Sequence, residues 1–215
     1  MMSNLVLKIK RKAHLFFLRK QNKNIDFTMI SQNCLAGCLY SDLGLEFLSP
    51  TINMFIEDEN FTKLVENLEY YLSIPAKPFI DSYVDPKDSS IVYPKIKVGD
   101  IEICCLHYKN CNEAVEAWNR RRKRVNMKKI YVVANSWNMH QRGDLVKKIC
   151  KSKYPTVCFT YGTVGGANSE CIELVGKEWK LDDRGIVRPN LTDIMEGDYK
   201  RNYEKYFDFI KWLNQ

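Results

Sequence analysis

Polar side chains follow a predicted buried strand at residues 27–30 and could bind or activate a substrate there. Asn33 offers an amide, Cys34 a thiol, and Gly37 would let a ligand approach the backbone closely. Asp42 follows within the same segment as a candidate base for an acceptor hydroxyl. Because ligands of open α/β sheets bind at the carboxyl ends of strands, these residues predict a binding site.

The end of a second predicted strand, at residues 51–56, adds hydroxyl and amide groups. Ser49, Thr51 and Asn53 could hydrogen-bond the hydroxyls of a sugar, although Ser-Pro-Thr is also ordinary turn chemistry. Both interpretations stay open at this point.

A basic run on a predicted helix follows Trp118 and contains five adjacent cations at residues 120–124. A solvated helix face is the usual explanation of such a run, but five adjacent residues cover the whole helical wheel. We therefore expect Arg121 and Arg124 to neutralise a diphosphate, which arginine can bind through two parallel hydrogen bonds.

His107 follows another predicted strand and is a second candidate base. Together with Cys34 it could form a nucleophile and base pair for acyl transfer. The alternative is a buried cysteine that packs beneath a loop and a histidine that is satisfied by backbone groups. A glycine-rich turn at residues 162–168 matches neither phosphate-binding motif and indicates a hairpin loop.

The formal charge of +7 is concentrated in residues 1–24, which hold seven Lys and Arg residues and no acidic residue. The remaining chain is neutral, which argues against nucleic acid as a partner. The sequence has no apolar run long enough to span a membrane and no secretory leader, so we expect a cytoplasmic protein, either free or peripheral at the inner membrane face. Its eight cysteines lie mostly in apolar runs without zinc spacing, which predicts reduced thiols and no metal.

Residues 1–24 predict a basic amphipathic helix, and residues 25–215 predict a single α/β domain. One arc of the helical wheel holds Leu5, Val6, Ile9, Ala13, Phe16 and Phe17. This arc could lie in a membrane interface or pack on the core.

Residues 60–72 and 202–213 predict helices, and the proline-rich residues 73–92 predict a long connection with at most one short strand. Residues 93–98 and 101–107 predict two strands that are joined by the Gly99-Asp100 turn. Strands and helices alternate along the chain, which predicts a three-layer α/β sandwich with a mainly parallel sheet.

Several long motifs resemble a bacterial family of undetermined function whose members are commonly labelled exopolysaccharide biosynthesis proteins. They lie at residues 30–37, 40–44, 49–55, 64–72, 99–103, 106–108, 118–126 and 206–214. The resemblance implies a three-layer α/β fold and a role near capsule or lipopolysaccharide glycosyltransferases. Where the family pattern leads us to expect an acidic strand end, this chain has Ala134-Asn-Ser-Trp-Asn138, so a carboxylate there would be lost.

We therefore expect a glycosyltransferase-like enzyme that acts on a nucleotide-sugar or a polyprenyl-diphosphate-linked glycan. No resident cofactor is predicted, although a divalent metal could accompany a nucleotide-sugar. The predicted substrate contacts include Asn33, Gly37, Tyr40, Ser49, Thr51, Asn53, Trp118, Arg121 and Arg124, and the catalytic candidates are Asp42, His107 and Cys34. All of them are expected in one pocket. The alternatives are a polysaccharide acyltransferase that uses Cys34 and His107, and a non-catalytic module that holds an assembly complex at the membrane.

Overall fold

The computed structural model describes residues 4–135, 142–160, 171–175, 179–183 and 187–215. The helices are α1 (Asn4–Gln21), α2 (Leu35–Leu43), α3 (Asp58–Glu66), α4 (Leu68–Ser73), α5 (Cys111–Arg121), α6 (Gly143–Cys150) and α7 (Phe209–Leu213). The strands are β1 (Thr28–Ser31), β2 (Lys77–Asp85), β3 (Asp88–Val98), β4 (Ile101–Cys104), β5 (Ile130–Asn135), β6 (Thr156–Thr160), β7 (Cys171–Val175), β8 (Lys180–Leu181) and β9 (Val187–Arg188).

A parallel sheet with the strand order β1-β5-β6-β7 forms the middle layer. Its side chains alternate between two faces, as the pleat of a strand requires. Ile30, Val132 and Cys158 enter one hydrophobic core, while Val133 and Phe159 enter the other. The prediction of an α/β sandwich with a mainly parallel sheet is confirmed.

The two cores lie on opposite faces of this sheet and take their cover from different parts of the chain. On one face, α3, α4, α5, α6 and the antiparallel sheet β2-β3-β4 supply buried residues such as Phe61, Trp118 and Ile149. On the other face, α2, α7 and the segment between β7 and α7 supply Leu39 and Trp212. Helices therefore cover the parallel sheet on both sides.

Helix α1 docks on the body through polar side chains. Arg11 forms ion pairs with Asp42 at 2.6 Å and with Glu204 at 3.3 Å, and His14 lies 2.5 Å from Glu204. Leu18 adds an apolar contact with the second core. The helix is thus fixed both to Asp42, which lies 31 positions after Arg11, and to Glu204, which lies about 190 positions later in the chain.

The end of α1 is also joined to the end of α7. The side chain of Asn214 donates to the carbonyl of Gln21 at 2.9 Å and accepts from the backbone N–H of Lys23 at 2.8 Å. Asn24 donates to the carbonyl of Leu213 at 2.9 Å. These hydrogen bonds connect the two ends of the described chain.

The antiparallel hairpin β2–β3 corrects the prediction that residues 73–92 form a connection with at most one short strand. β2 is an edge strand, where Pro78 is tolerated because no neighbour requires its missing N–H. The outer half of the hairpin is exposed, so its residues show no alternation of burial. The two usual sequence signals of a strand, the absence of proline and the alternation of apolar and polar residues, were therefore weak in β2.

Three further predicted elements differ in the structure. Residues 51–56 form a turn and a single bridge from Phe55 to Cys104 rather than a strand, because Asn53 has a positive φ of 61°. The predicted helix from residue 60 to 72 is divided at Asn67, whose φ of −128° interrupts the helical hydrogen bonds. The predicted closing helix, 202–213, is a short 3₁₀ turn followed by the brief α7.

The cysteines of the described chain are mostly free thiols, at positions 34, 38, 104, 105, 111 and 158. Cys150 differs, because it is disulfide-bonded. Within the same described ranges, no helix combines the length and apolar character needed to cross a bilayer. No group of three or more His, Cys, Asp or Glu side chains in these ranges is arranged to hold a metal ion.

Candidate functional site

The carboxyl end of β1 meets the end of β5 and the start of α3 at the side chain of Gln32. This amide is fully buried; Nε2 donates to Oδ1 of Asp58 at 2.6 Å, and Oε1 accepts from the N–H of Asn135 at 3.0 Å. The Gln32 N–H donates to Val133 and its carbonyl accepts from Ile56, both at 3.0 Å. One residue therefore fixes three segments at the sheet edge where ligands usually bind.

Asp58, the first residue of α3, carries a half-buried carboxyl group at this edge. Burial, opposed by the hydrogen bond from Gln32 and reinforced by the charge of Glu57, raises the pKa of Asp58 to about 7. A carboxyl group with a pKa near 7 can accept or donate a proton at physiological pH. Asp58 is therefore the strongest candidate for a general base among the described residues.

Arg142 places a positive charge near this carboxyl group. Its charge lowers the pKa of Asp58, against the larger effect of burial. The guanidinium pairs with Glu59 at 3.0 Å and with Asp144 at 3.2 Å, and its side chain remains about half exposed. A cation that stays accessible at the same edge can meet an anionic group of a ligand.

Two segments considered in the sequence analysis fall outside the described residues. The link from β5 to α6 includes residues 136–141, so of the Ala134–Asn138 run only Ala134 and Asn135 are described. The glycine-rich turn at 162–168 lies within residues 161–170, which follow β6. The described site therefore consists of the side chains of Gln32 after β1, Asp58 in α3 and Arg142 before α6, with the backbone N–H of Asn135 in β5.

Asn33 and Cys34 form the entry to α2. Oδ1 of Asn33 accepts from the N–H of Leu35 at 3.0 Å and from the hydroxyl of Ser31 at 3.4 Å, as a local turn-forming side chain does. Burial raises the pKa of the half-buried Cys34 thiol to about 11, and the nearby Cys38 adds to the effect. Cys34 is therefore protonated at neutral pH and is not activated as a nucleophile.

The loop that precedes α3 uses its predicted sugar-binding hydroxyls to hold itself against β1. Oγ1 of Thr51 accepts from the N–H of Ser31 at 3.1 Å and lies 3.1 Å from the hydroxyl of Ser49. Both Ser49 and Thr51 are fully buried. Their hydroxyls are thus committed to the fold, which corrects the expectation that they face a substrate.

Gly37 and Asn53 lie against each other. A Cβ atom at Gly37 would stand 3.0 Å from Oδ1 of Asn53, closer than most real Cβ contacts. The close approach that Gly37 permits is therefore to the 49–53 loop of the protein itself, rather than to a ligand as predicted. Asn53 is half-buried and adopts a left-handed backbone conformation, which asparagine tolerates better than most residues.

The predicted diphosphate clamp is occupied by protein groups. Nη1 of Arg121 donates to the Tyr108 hydroxyl at 2.6 Å and to the Ile52 carbonyl at 3.2 Å, and Arg121 is buried. Trp118 is a fully buried core residue on the same helix. Arg124 is exposed and pairs with Glu46 at 2.6 Å. Arg121 therefore holds the Ile52 loop to α5, and Arg124 lies on the surface.

Asp42 belongs to a buried ion cluster that we call the Asp42 cluster, formed by Arg11, Asp42 and Arg201. Arg201 contacts Asp42 at 2.7 Å, and the Tyr203 hydroxyl donates to the same carboxylate at 3.3 Å. Burial alone would raise the pKa of Asp42, but hydrogen bonds from Arg201 and Arg11 hold it below its ordinary value. Its lone pairs are occupied, so the arrangement suits an anchor for α1 better than a base.

The two remaining predicted site residues are Tyr40, which is buried, and His107, which is exposed. Tyr40 is fully buried, stacks on Phe27 and donates to the carbonyl of that residue at 2.6 Å, so it is a core residue and not a substrate contact. His107 is exposed on the turn after β4. Within the described chain, no hydrogen bond or ion pair joins His107 to Cys34, Asn33 or Arg121. The structure thus gives no sign of the single pocket expected from the sequence.

Neither Gln32 nor Asp58 was predicted from the sequence as a site residue. Asp58 stands within Glu57-Asp58-Glu59, which looks like ordinary acidic residues at a helix start. The signal that distinguishes it is its contact with Gln32, which lies 26 residues earlier. A buried glutamine directly after a strand, followed by an acidic residue at the next helix start, is the pattern that could have indicated this pair.

Comparison with known proteins places the chain in a family. A family described as a domain of unknown function (DUF1919) matches residues 5–214. An uncharacterized protein of Haemophilus influenzae is 26% identical over 205 residues, which cover 92% of this chain and 88% of that protein. Neither description names a polysaccharide, a substrate or a reaction. The chain belongs to the DUF1919 family.

Proposed function

We propose that the chain is a sugar transferase of surface-polysaccharide synthesis in which Asp58 is the general base. The observation that carries the proposal is the half-buried carboxyl group of Asp58, with its pKa near 7, at the carboxyl edge of a parallel sheet. Transfer to a hydroxyl group needs a base that is ionised in a substantial fraction of molecules at neutral pH yet basic enough to take the proton. Asp58 meets both conditions.

The proposed step is the displacement of a phosphate from the first carbon of a donor sugar. The acceptor hydroxyl gives its proton to Asp58 as its oxygen forms a bond to that carbon. The bond from carbon to the phosphate oxygen breaks, and the electron pair leaves with the phosphate group. Gln32 holds Oδ1 of Asp58, which leaves Oδ2 to accept the proton, since no described residue donates to it.

Arg142 takes the role that the sequence had suggested for Arg121 and Arg124. Its guanidinium stays half exposed near Asp58, where it pairs with the exposed carboxylates of Glu59 and Asp144, whereas Arg121 is buried and bound to Tyr108 and Ile52. Arginine binds phosphate oxygens through charge-assisted hydrogen bonds, so Arg142 can stabilise the charge that develops on the leaving group. The donor is accordingly a nucleotide-sugar or a lipid-diphosphate-linked sugar.

The choice of polysaccharide chemistry draws support from the resemblance of the chain to proteins labelled exopolysaccharide biosynthesis proteins. Acyl transfer through Cys34 receives less support, because a thiol with a pKa of about 11 is protonated at neutral pH. A purely structural role would leave the raised pKa of Asp58 without a use. Sugar transfer is the function that uses the features of this edge.

The experiment that tests the proposal compares the wild type with Asp58→Asn on a panel of nucleotide-sugar donors and lipid-diphosphate-linked sugar donors, each with lipid-linked acceptors. Release of the leaving group, a nucleoside phosphate or a lipid diphosphate, is measured by chromatography. We expect turnover by the wild type and a loss of about 100-fold or more in Asp58→Asn, the usual contribution of a general base. Wild-type activity should rise with pH through about 7, as Asp58 ionises.

Asp26→Asn is the matched control, because Asp26 is an exposed aspartate that pairs with Lys129 on another part of the surface. It should keep wild-type turnover. Equal activity in Asp58→Asn and wild type would contradict the role of Asp58. A wild type that neither binds nor turns over any donor of either class would contradict the transferase proposal itself.

A further inference from the structure

The apolar arc of α1 faces away from the protein. Leu5 is 67% exposed, Ile9 59%, Phe16 63% and Phe17 58%, although they form the most apolar face of the helix. The most apolar face of an amphipathic helix is normally buried against the core of the protein. Here the arc is left uncovered within the part of the chain that the structure describes.

The opposite side of α1 holds the helix on the body. Arg11 pairs with Asp42 and Glu204, and Nε of Arg19 donates to the Asp42 carbonyl at 2.9 Å. Leu18 packs against the second core. The orientation of the helix is therefore fixed by contacts that two arginines make with acidic or carbonyl groups, and rotation that buried the apolar arc would break them.

Exposed lysines accompany the apolar arc of α1. Residues 4–24 contain no Asp or Glu. Arg11 and Arg19 both donate hydrogen bonds to Asp42, so they point toward the body. Lys8, Lys12 and Lys20 are exposed along the helix. On the helical wheel, Lys8 and Lys12 lie along one edge of the arc, and Lys20 lies within the arc beside Phe16 in the last turn. The uncovered surface is thus both apolar and cationic.

A groove beside α1 extends this surface onto the body. It has a volume of about 590 Å³ and is lined by Leu5, Ile9 and Lys12 from the helix and by Ile194 and Tyr199 from the body. Ile194 is itself half exposed. Asp198 also lines the groove, but its carboxylate accepts from the N–H of Tyr199 at 2.6 Å. Apolar surface therefore continues from the helix into a neighbouring depression.

We propose that this face of α1 binds the surface of an anionic lipid bilayer. Phe16, Phe17 and the aliphatic residues would enter the headgroup boundary while the lysines meet lipid phosphates, as in interfacial amphipathic helices. The charge favours an anionic bilayer over a second copy of the chain, because two such faces would bring like charges together. The inference does not depend on Asp58, so it stands or falls apart from the proposed transferase activity.

The full chain is tested by flotation with vesicles of phosphatidylcholine alone and of equal parts phosphatidylcholine and phosphatidylglycerol. We expect binding only to the anionic vesicles, and binding that weakens with added salt. The triple variant Lys8→Gln, Lys12→Gln, Lys20→Gln should bind about 100-fold more weakly, at about fivefold for each lysine. Phe16→Ser with Phe17→Ser should lose about tenfold or more.

Matched controls use residues of the same kind elsewhere on the surface. Val84→Ser with Val92→Ser changes two half-exposed apolar residues of the β2–β3 hairpin, and Lys109→Gln with Lys128→Gln changes two exposed lysines. These variants should bind like the wild type. Circular dichroism shows whether each variant is folded.

Equal binding to both kinds of vesicle, or binding that the α1 variants leave unchanged, would overturn the proposal. Sedimentation analysis tests for self-association of the chain. If the wild type is a dimer that does not bind vesicles, and Phe16→Ser with Phe17→Ser dissociates that dimer, the face binds a second copy and the proposal is overturned. A wild type that floats with neither kind of vesicle would also overturn the proposal.

Discussion

Replacement of Asp58 by asparagine removes an ionisable group but can keep the hydrogen bond from Gln32. The amide oxygen of asparagine can accept from the same Nε2 that now lies 2.6 Å from the aspartate. The change in stability therefore reports on the charge of Asp58 more than on its packing. A base held in a desolvated position should destabilise the folded protein when it is ionised.

The magnitude follows from the pKa of Asp58, which burial raises from 3.8 to about 7. Between these values the folded protein holds a proton that the unfolded chain has released, so the free energy of unfolding falls as the pH rises. The full difference corresponds to roughly 4 kcal/mol above pH 7. We halve this to about 2 kcal/mol, because a half-buried carboxyl group is partly screened by solvent.

Urea unfolding followed by tryptophan fluorescence measures this effect. At about pH 8 we expect Asp58→Asn to be about 2 kcal/mol more stable than the wild type, and near pH 4 the two should be equal. Asp26→Asn provides a control of opposite sign, because the hydrogen bond from Lys129 lowers the pKa of Asp26. An Asp58→Asn variant that is less stable than the wild type at both pH values would refute the reasoning.

Two further substitutions test the packing around the site and around α1. In urea titrations at pH 7, Asp42→Asn should lower the free energy of unfolding by about 3 kcal/mol, because Arg11 and Arg201 lose their buried partner. This loss of stability should shrink below about pH 4, where Asp42 is protonated in the unfolded chain. Gly37→Ala should lower the free energy of unfolding by about 1 to 3 kcal/mol, because the added Cβ atom crowds Asn53. The double variant Gly37→Ala with Asn53→Gly should recover part of that loss. Additive effects of the two substitutions would contradict the predicted crowding between these residues.

Elements with a strong hydrophobic pattern could be predicted from the sequence. The buried strands β1, β5 and β6 have continuous apolar runs, and the Gly99-Asp100 turn between β3 and β4 has the positive φ of 60° that favours glycine. Such signals are local, since neighbouring residues alone decide them. The fold class followed from these elements because their order already determines a three-layer arrangement.

The candidate site could not be predicted in the same way, because its defining contacts are distant in sequence. Gln32 reaches Asn135 across 103 residues, and no local pattern reports that meeting. Conversely, Thr51 and Arg121 have the side-chain types of a sugar-phosphate site but use them within the fold. Residue type predicts which hydrogen bonds a side chain can form, whereas the partner depends on the complete fold.

The docking of α1 has a consequence for how the chain is completed during synthesis. The residues that receive the helix, including Glu204 and Asn214, are made about 190 positions after Arg11 and Gln21. Until Glu204 and Asn214 have been synthesised, α1 lacks their contacts and stays partly uncovered, in the presence of chaperones and other nascent chains. Such distant contacts form late and slowly, so the docking of α1 is completed late in folding.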